Sequence, residues 1–116
     1  LSADTPWPYP ARGQLGVSMT EYPLTDFRMQ DGSRNFLTLP IHVGPRVLWR
    51  SLRPLALVKR GRILLTVTDS WITYHWKGWP MSIHDPYGEY WFYAEDALTP
   101  EPVLHAIRDH FLAVAL

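Results

Sequence analysis

Four consecutive rings, Tyr90-Trp91-Phe92-Tyr93, constrain this chain more than any other stretch. Side chains alternate across a strand, so a strand here carries two large aromatics on each face and calls for cover on both. The turn before it is written in the same region. In Asp85-Pro86-Tyr87-Gly88, Pro86 presets φ for the second turn position, Asp85 can bond back to the backbone, and Gly88 suits a left-handed residue. A three-residue loop pairs Asp85 with Glu89, and sets Ile83 against Trp91 and Met81 against Tyr93. A two-residue loop slips the register and sets Ile83 against Tyr90.

Other strands follow from alternation and turn chemistry. Asp31-Gly32 separates Leu24–Met29 from Asn35–Leu39 as a hairpin. Lys59-Arg60-Gly61-Arg62 reads as a second hairpin turn, between Ala56–Val58 and Ile63–Thr68. Trp71–Trp76 is rich in aromatic and β-branched residues, with Ile72, Tyr74 and Trp76 on one face and Trp71, Thr73 and His75 on the other. Residues 46–53, ending before Pro54, fit a short helix or a strand equally well.

The C-terminal segment is helical in pattern from Pro100 to about Leu116, with Thr99 as N-cap and Glu101 at the positive end of the dipole. Val103, Leu104, Ile107, Phe111 and Val114 form one stripe at ~100° per residue, suited to packing on a sheet. Leu112 and Leu116 fall on the flank, which reads either as a wide core-facing surface or frayed end, or as an uncovered apolar edge that meets another subunit or protein, with a homodimer through this helix as one form. At the other end, Pro6, Pro8 and Pro10 alternate with Trp7 and Tyr9, a composition that favours an extended arm over 1–18.

These elements amount to an α+β fold. The expectation is a single domain over 19–116, with a twisted antiparallel sheet of about five or six strands and a C-terminal helix packed on it. A length of 116 residues with 47% hydrophobic side chains suits one core and excludes disorder. Apolar runs fall short of the ~20 residues of a membrane span. With no cysteine there is no disulfide, thiol nucleophile or thiolate metal site.

Charge balances at eleven basic against eleven acidic residues but is uneven along the chain. Arg46, Arg50, Arg53, Lys59, Arg60 and Arg62 form a wholly basic stretch, whereas Asp85, Glu89, Glu95, Asp96, Glu101 and Asp109 dominate the C-terminal third. The basic stretch, with Trp49 inside it, is the candidate site of an RNA- or DNA-binding module, and the acidic third opposes that reading.

No phosphate-cradling loop, nucleophile elbow or zinc-binding helix motif is present, and neither a cofactor nor a metal site is expected. His75, His84, Tyr74, Arg60 and Arg62 have the residue types of a small metal-independent ribonuclease, an alternative that geometry must decide. Trp71, Trp76, Trp79 and Trp91 raise a sugar-binding reading, against which core packing stands as the simpler explanation. The favoured reading is a small non-enzymatic protein-binding module, of the inhibitor, antitoxin-like or immunity type or an accessory subunit. It would mask a basic site on its target with an acidic and aromatic surface around Asp85, Glu89, Trp91, Tyr93 and Glu95, helped by Leu112 and Leu116.

Overall fold

The computed structural model describes residues 21–55 and 58–116. The arm expected over 1–18 lies outside the described residues. In chain order the elements are β1 (Phe27–Arg28), β2 (Arg34–Pro40), α1 (Pro45–Ser51), β3 (Val58–Leu65), β4 (Ser70–Trp76), β5 (Trp79–His84), β6 (Glu89–Ala94) and α2 (Glu101–Ala115). They build a 6-stranded sheet of order β1-β2-β6-β5-β4-β3, antiparallel throughout, with a C-terminal helix, as the sequence leads one to expect.

Residues paired across antiparallel strands share a face, so the register shows what each face carries. One row runs Ile63, Ile72, Ile83, Phe92, Leu37, and the next brings Tyr74, Met81 and Ala94 to the same side. From Ile72 through Leu37 these residues are buried, together with Leu104, Ile107 and Phe111 of α2, Leu48 of α1 and Leu52 just after it, in one apolar cluster. Phe111 lies 5.0 Å from Phe92 and 6.5 Å from Tyr74 between ring centroids. On β4 the expected alternation holds, with Ile72, Tyr74 and Trp76 buried and Trp71 and His75 exposed.

Cover differs between the two faces. Tyr90 and Phe92 are fully buried, whereas Trp91 and Tyr93 on the opposite face are only half-buried. The expectation that both faces are sealed is thus corrected on the second. The register around the last turn is corrected too: Ile83 faces Phe92, Met81 faces Ala94 and His84 faces Trp91, which is neither of the two anticipated pairings. This register puts Ile83 and Phe92 together in the core, and a one-residue slip would turn one of them outward. The connection is four residues, Asp85 to Gly88, and Gly88 takes the expected left-handed conformation at φ 78°.

The proposed turn at Lys59-Arg60-Gly61-Arg62 is not a turn. These residues lie within β3, an uninterrupted edge strand that carries a bulge between Arg60 and Arg62. Glycine is needed there for close approach: a Cβ on Gly61 would sit 2.5 Å from Thr73 Oγ1 and 2.8 Å from its carbonyl oxygen. The chain turns from β3 into β4 at Thr66–Asp69, where the Thr66 N–H donates to the Asp69 carbonyl oxygen at 2.9 Å, and from β4 into β5 at Lys77-Gly78, whose φ values of 52° and 83° match the primed two-residue turn.

Residues 46–53 resolve to helix over most of their length, as α1. In α2 the cap is shifted by one residue. Pro100 is the N-cap, while the Thr99 hydroxyl donates to the Asp96 carbonyl oxygen at 2.6 Å. Leu112 is 2% exposed and belongs to the core, so the buried arc of α2 runs from Ile107 round to Leu112, about 140° at the helical period. The uncovered edge expected there reduces to Leu116, 37% exposed.

Buried polar groups are tied down with one exception. Arg34 donates from Nε to the Thr25 carbonyl oxygen at 2.9 Å and pairs through Nη1 with Glu101 at the start of α2. Asn35 donates its amide to the carbonyl oxygens of Leu37 and Phe92, at 3.2 and 3.1 Å, and so bridges the bulge in β2. The Tyr90 hydroxyl donates to the Val43 carbonyl oxygen and anchors the entry to α1. Only the Tyr74 hydroxyl is buried without a partner among the described residues, and burial pushes its pKa far above the ordinary phenol value.

Two outcomes follow for urea unfolding. Gly61→Ala loses about 2 kcal/mol, because the Thr73 hydroxyl can turn away but the Thr73 carbonyl behind it is backbone and cannot swing aside. Tyr74→Phe retains the fold and gains about 1 kcal/mol, because the deleted hydroxyl has no hydrogen bond to lose.

Candidate functional site

The open face of the sheet carries the second set of cross-strand rows. One runs Leu64, Trp71, His84, Trp91, Thr38, and the neighbouring one Arg62, Thr73, Ser82, Tyr93, Asn35. The period of two along β6 places Glu89, Trp91 and Tyr93 on this face, and Glu95 follows in the same sense as its N–H donates to the Pro80 carbonyl oxygen at 3.0 Å. Both glutamates are exposed. Tyr87, 73% exposed in the last turn, packs its ring 5.3 Å from that of Trp91.

Trp71 is held from one side. Its ring lies 4.1 Å from the His84 ring, and His84 Nε2 sits 2.7 Å from Asp69 Oδ2. The Thr66 hydroxyl, and after it His84, hold the Asp69 carboxyl below the usual carboxylate range. On its other side Trp71 borders a recess of about 420 Å³ with Tyr93 as a second wall and Ser82 in its lining. The β1–β2 turn supplies Met29, Gln30, Asp31 and Ser33, and Glu95 adds a second carboxylate. The buried Ser82 hydroxyl donates to Glu95 Oε2, which fixes that carboxylate against the sheet. Asp31 accepts from Ser33 N and Oγ at 2.9 and 2.7 Å, bonds that lower its pKa. Burial raises the Tyr93 phenol, with the nearby charges of Asp31 and Glu95 adding to the effect.

Neither the comparison with protein families, nor that with curated proteins, nor that with solved structures finds a match for this chain. The site therefore has to be read from its own chemistry.

Of the residues singled out by sequence, Glu89, Trp91, Tyr93 and Glu95 share the open face. Asp85 is committed elsewhere: its carboxylate accepts from Ser70 N and clamps the last turn to the start of β4. Leu112 is in the core and Leu116 ends the helix on the other side of the sheet. The six basic residues are all exposed but divided between the faces. Arg46, Arg50 and Arg53 belong to the α1 region, Arg60 reaches the α1 side with its guanidinium 4.8 Å from the Trp49 ring, and Lys59 and Arg62 pair with His75 and Thr73 of the open face.

The ribonuclease set does not converge. Tyr74 is in the core. His84 pairs with Trp71, four residues from His75 along β4, about 13 Å at the rise of a strand. His110 is bonded to the Ser51 carbonyl oxygen at 3.0 Å, and burial lowers its pKa. Among the described residues no group of three His, Cys, Asp or Glu is placed to hold a metal, and no helix is long and apolar enough to cross a membrane. Of the four tryptophans weighed for sugar binding, Trp76 and Trp79 pair with each other on the helix-covered side, and Trp71 and Trp91 face outward.

Sequence reasoning missed Asp31, Ser82 and Met29 as members of one recess. Nothing local marks Asp31 beyond its turn chemistry. Ser82 is a small polar residue between the core residues Met81 and Ile83, which signals the other face of β5.

A depressed carboxylate pKa contributes stability above the unfolded value and loses it as pH falls through the folded one. Asp69→Asn is therefore less stable than the parent protein at neutral pH, with the gap closing below about pH 4. Thermal melts over a pH series measure this.

Proposed function

We propose that the protein is a non-enzymatic binding module that captures a protein partner on the open face of its sheet, masking a basic site there. One observation carries the reading: Trp91 and Tyr93 stand half-exposed, between the exposed carboxylates of Glu89 and Glu95, on the face that α1 and α2 leave uncovered. Aromatic rings are enriched in interface centres because they bring much area at little entropy cost, and rim charges steer encounter. The same distribution gives a division of labour. Glu89 and Glu95 speed association with a cationic target, while Trp91, Tyr93, Trp71 and the exposed Tyr87 set the dissociation rate.

The scattered cations and histidines give the nucleic-acid and ribonuclease alternatives no comparable constellation. Both make distinct predictions in one experiment. The partner recovered from the source cell by the tagged protein is retained after nuclease treatment, and Trp91→Ala weakens its binding by about tenfold or more with little change in melting temperature. Reversal at Glu89 and Glu95 slows association and flattens its salt dependence. Loss of recovery on nuclease treatment, or on reversal of Arg60 and Arg62 alone, would transfer the function to nucleic-acid binding.

A further inference from the structure

The recess beside Trp71 has a chemistry of its own. Its walls are the aromatic rings of Trp71 and Tyr93, its charged members are Asp31 and Glu95, and among the described residues no Lys, Arg or His lines it. The Glu95 carboxylate is oriented by Ser82 through one oxygen, and no described residue is hydrogen-bonded to the other, Oε1. Trp71 is hemmed in on one side, because the His84 ring packs against it at an inclination of 56° and is itself held by Asp69. Two rings and two carboxylates, with no cation among the described lining residues, favour a cation that is flat enough to lie against a ring and forked enough to meet a carboxylate.

We propose that the recess takes one arginine side chain of the protein partner, the guanidinium lying against Trp71 and Tyr93 and pairing with Glu95 Oε1 and with Asp31. The proposal rests on the open face being a protein-docking surface and names the group that face receives. Lysine is the poorer occupant, since a compact, strongly hydrated ammonium gains less from a planar wall and cannot bond in parallel to a carboxylate. The second hollow on this face, bounded by Trp71 on its other side and by Arg62, Leu64 and Thr73, carries a cation of its own and is unsuited to the same group.

Blocked Gly-Arg-Gly, Gly-Lys-Gly and Gly-citrulline-Gly peptides test the proposal, read by the indole and amide NMR signals of the whole protein. The arginine peptide is expected to shift the Trp71 indole and the Ser82 and Tyr93 amides with a dissociation constant on the order of millimolar, several-fold tighter than the lysine peptide. Citrulline, neutral and nearly isosteric, should bind at least about tenfold more weakly. Glu95→Gln keeps an acceptor for Ser82 but should weaken the arginine peptide by about fivefold or more, whereas the remote Asp109→Asn should not.

Equal binding of arginine and citrulline, shifts centred away from Trp71, or no shift up to about 20 mM would each overturn the proposal. The two readings fail separately. Partner capture that is lost in Trp91→Ala yet unchanged in Glu95→Gln and Trp71→Phe would keep the docking face and discard the arginine site. Capture indifferent to all three would discard both.

Discussion

The contact between Phe92 and Phe111, 5.0 Å from ring centroid to centroid, fastens the central strand β6 to the terminal helix, and the rest of the molecule is arranged around it. Because β6 lies between β2 and β5, the row that includes Phe92 gathers residues from most of the sheet under α2. Burial of rings and branched side chains on that side supplies the main driving force of folding. It also decides the other side by default. With Tyr90 and Phe92 committed inward, the alternation of the strand leaves Trp91 and Tyr93 facing out, and the carboxylates of Glu89 and Glu95 with them.

Two polar side chains secure this arrangement where apolar packing cannot. Arg34 lies almost wholly buried near the end of the sheet and joins the segment before β1, strand β2 and the first turn of α2. The carboxyl of Glu101 is held below its ordinary range chiefly by that bond, which also complements the positive end of the helix dipole. Asn35 sits at the β2 bulge and meets carbonyl groups that the shifted register would otherwise strand. Both act on the geometry of β2, and through it on where the β1–β2 turn projects over the open face.

Much of this was legible in the chain itself, and the parts that were not have a common physical origin. The centre of the α2 stripe at Leu104, Ile107 and Phe111, the alternation on β4 and the left-handed Gly88 are local consequences of local residues, and they appear as expected. Gly61 shows the limit of such reading. A glycine among basic residues looks the same whether it serves to reverse the chain or to admit the opposing Thr73, and only the partner strand distinguishes the two. Likewise the sequence puts Asp85 in the last turn and the acidic surface, since its bond to Ser70 depends on a residue 15 positions away. For Leu112 the sequence leaves a wide core-facing arc and an exposed edge equally open, because the width of the buried arc on a helix is set by what it packs on, and the structure takes the first. Within the candidate site, Glu95 and the rings were visible from the β6 pattern, while Asp31 was not, since a turn distant in sequence brings it there.

The order of strands carries one more implication. The β3–β6 meander is joined by short connections, as is the β1–β2 hairpin, yet the ladder between β2 and β6 pairs Pro40 with Glu89 and so closes a loop of about 50 residues. Chain entropy makes that closure the slow step and the short hairpins the fast ones. The recess straddles this seam, with Met29 and Asp31 contributed from one part and Trp71, Ser82, Tyr93 and Glu95 from the other. A half-assembled chain would present each half of the cavity without its complement, so anything that recognises the finished hollow distinguishes mature molecules from nascent ones.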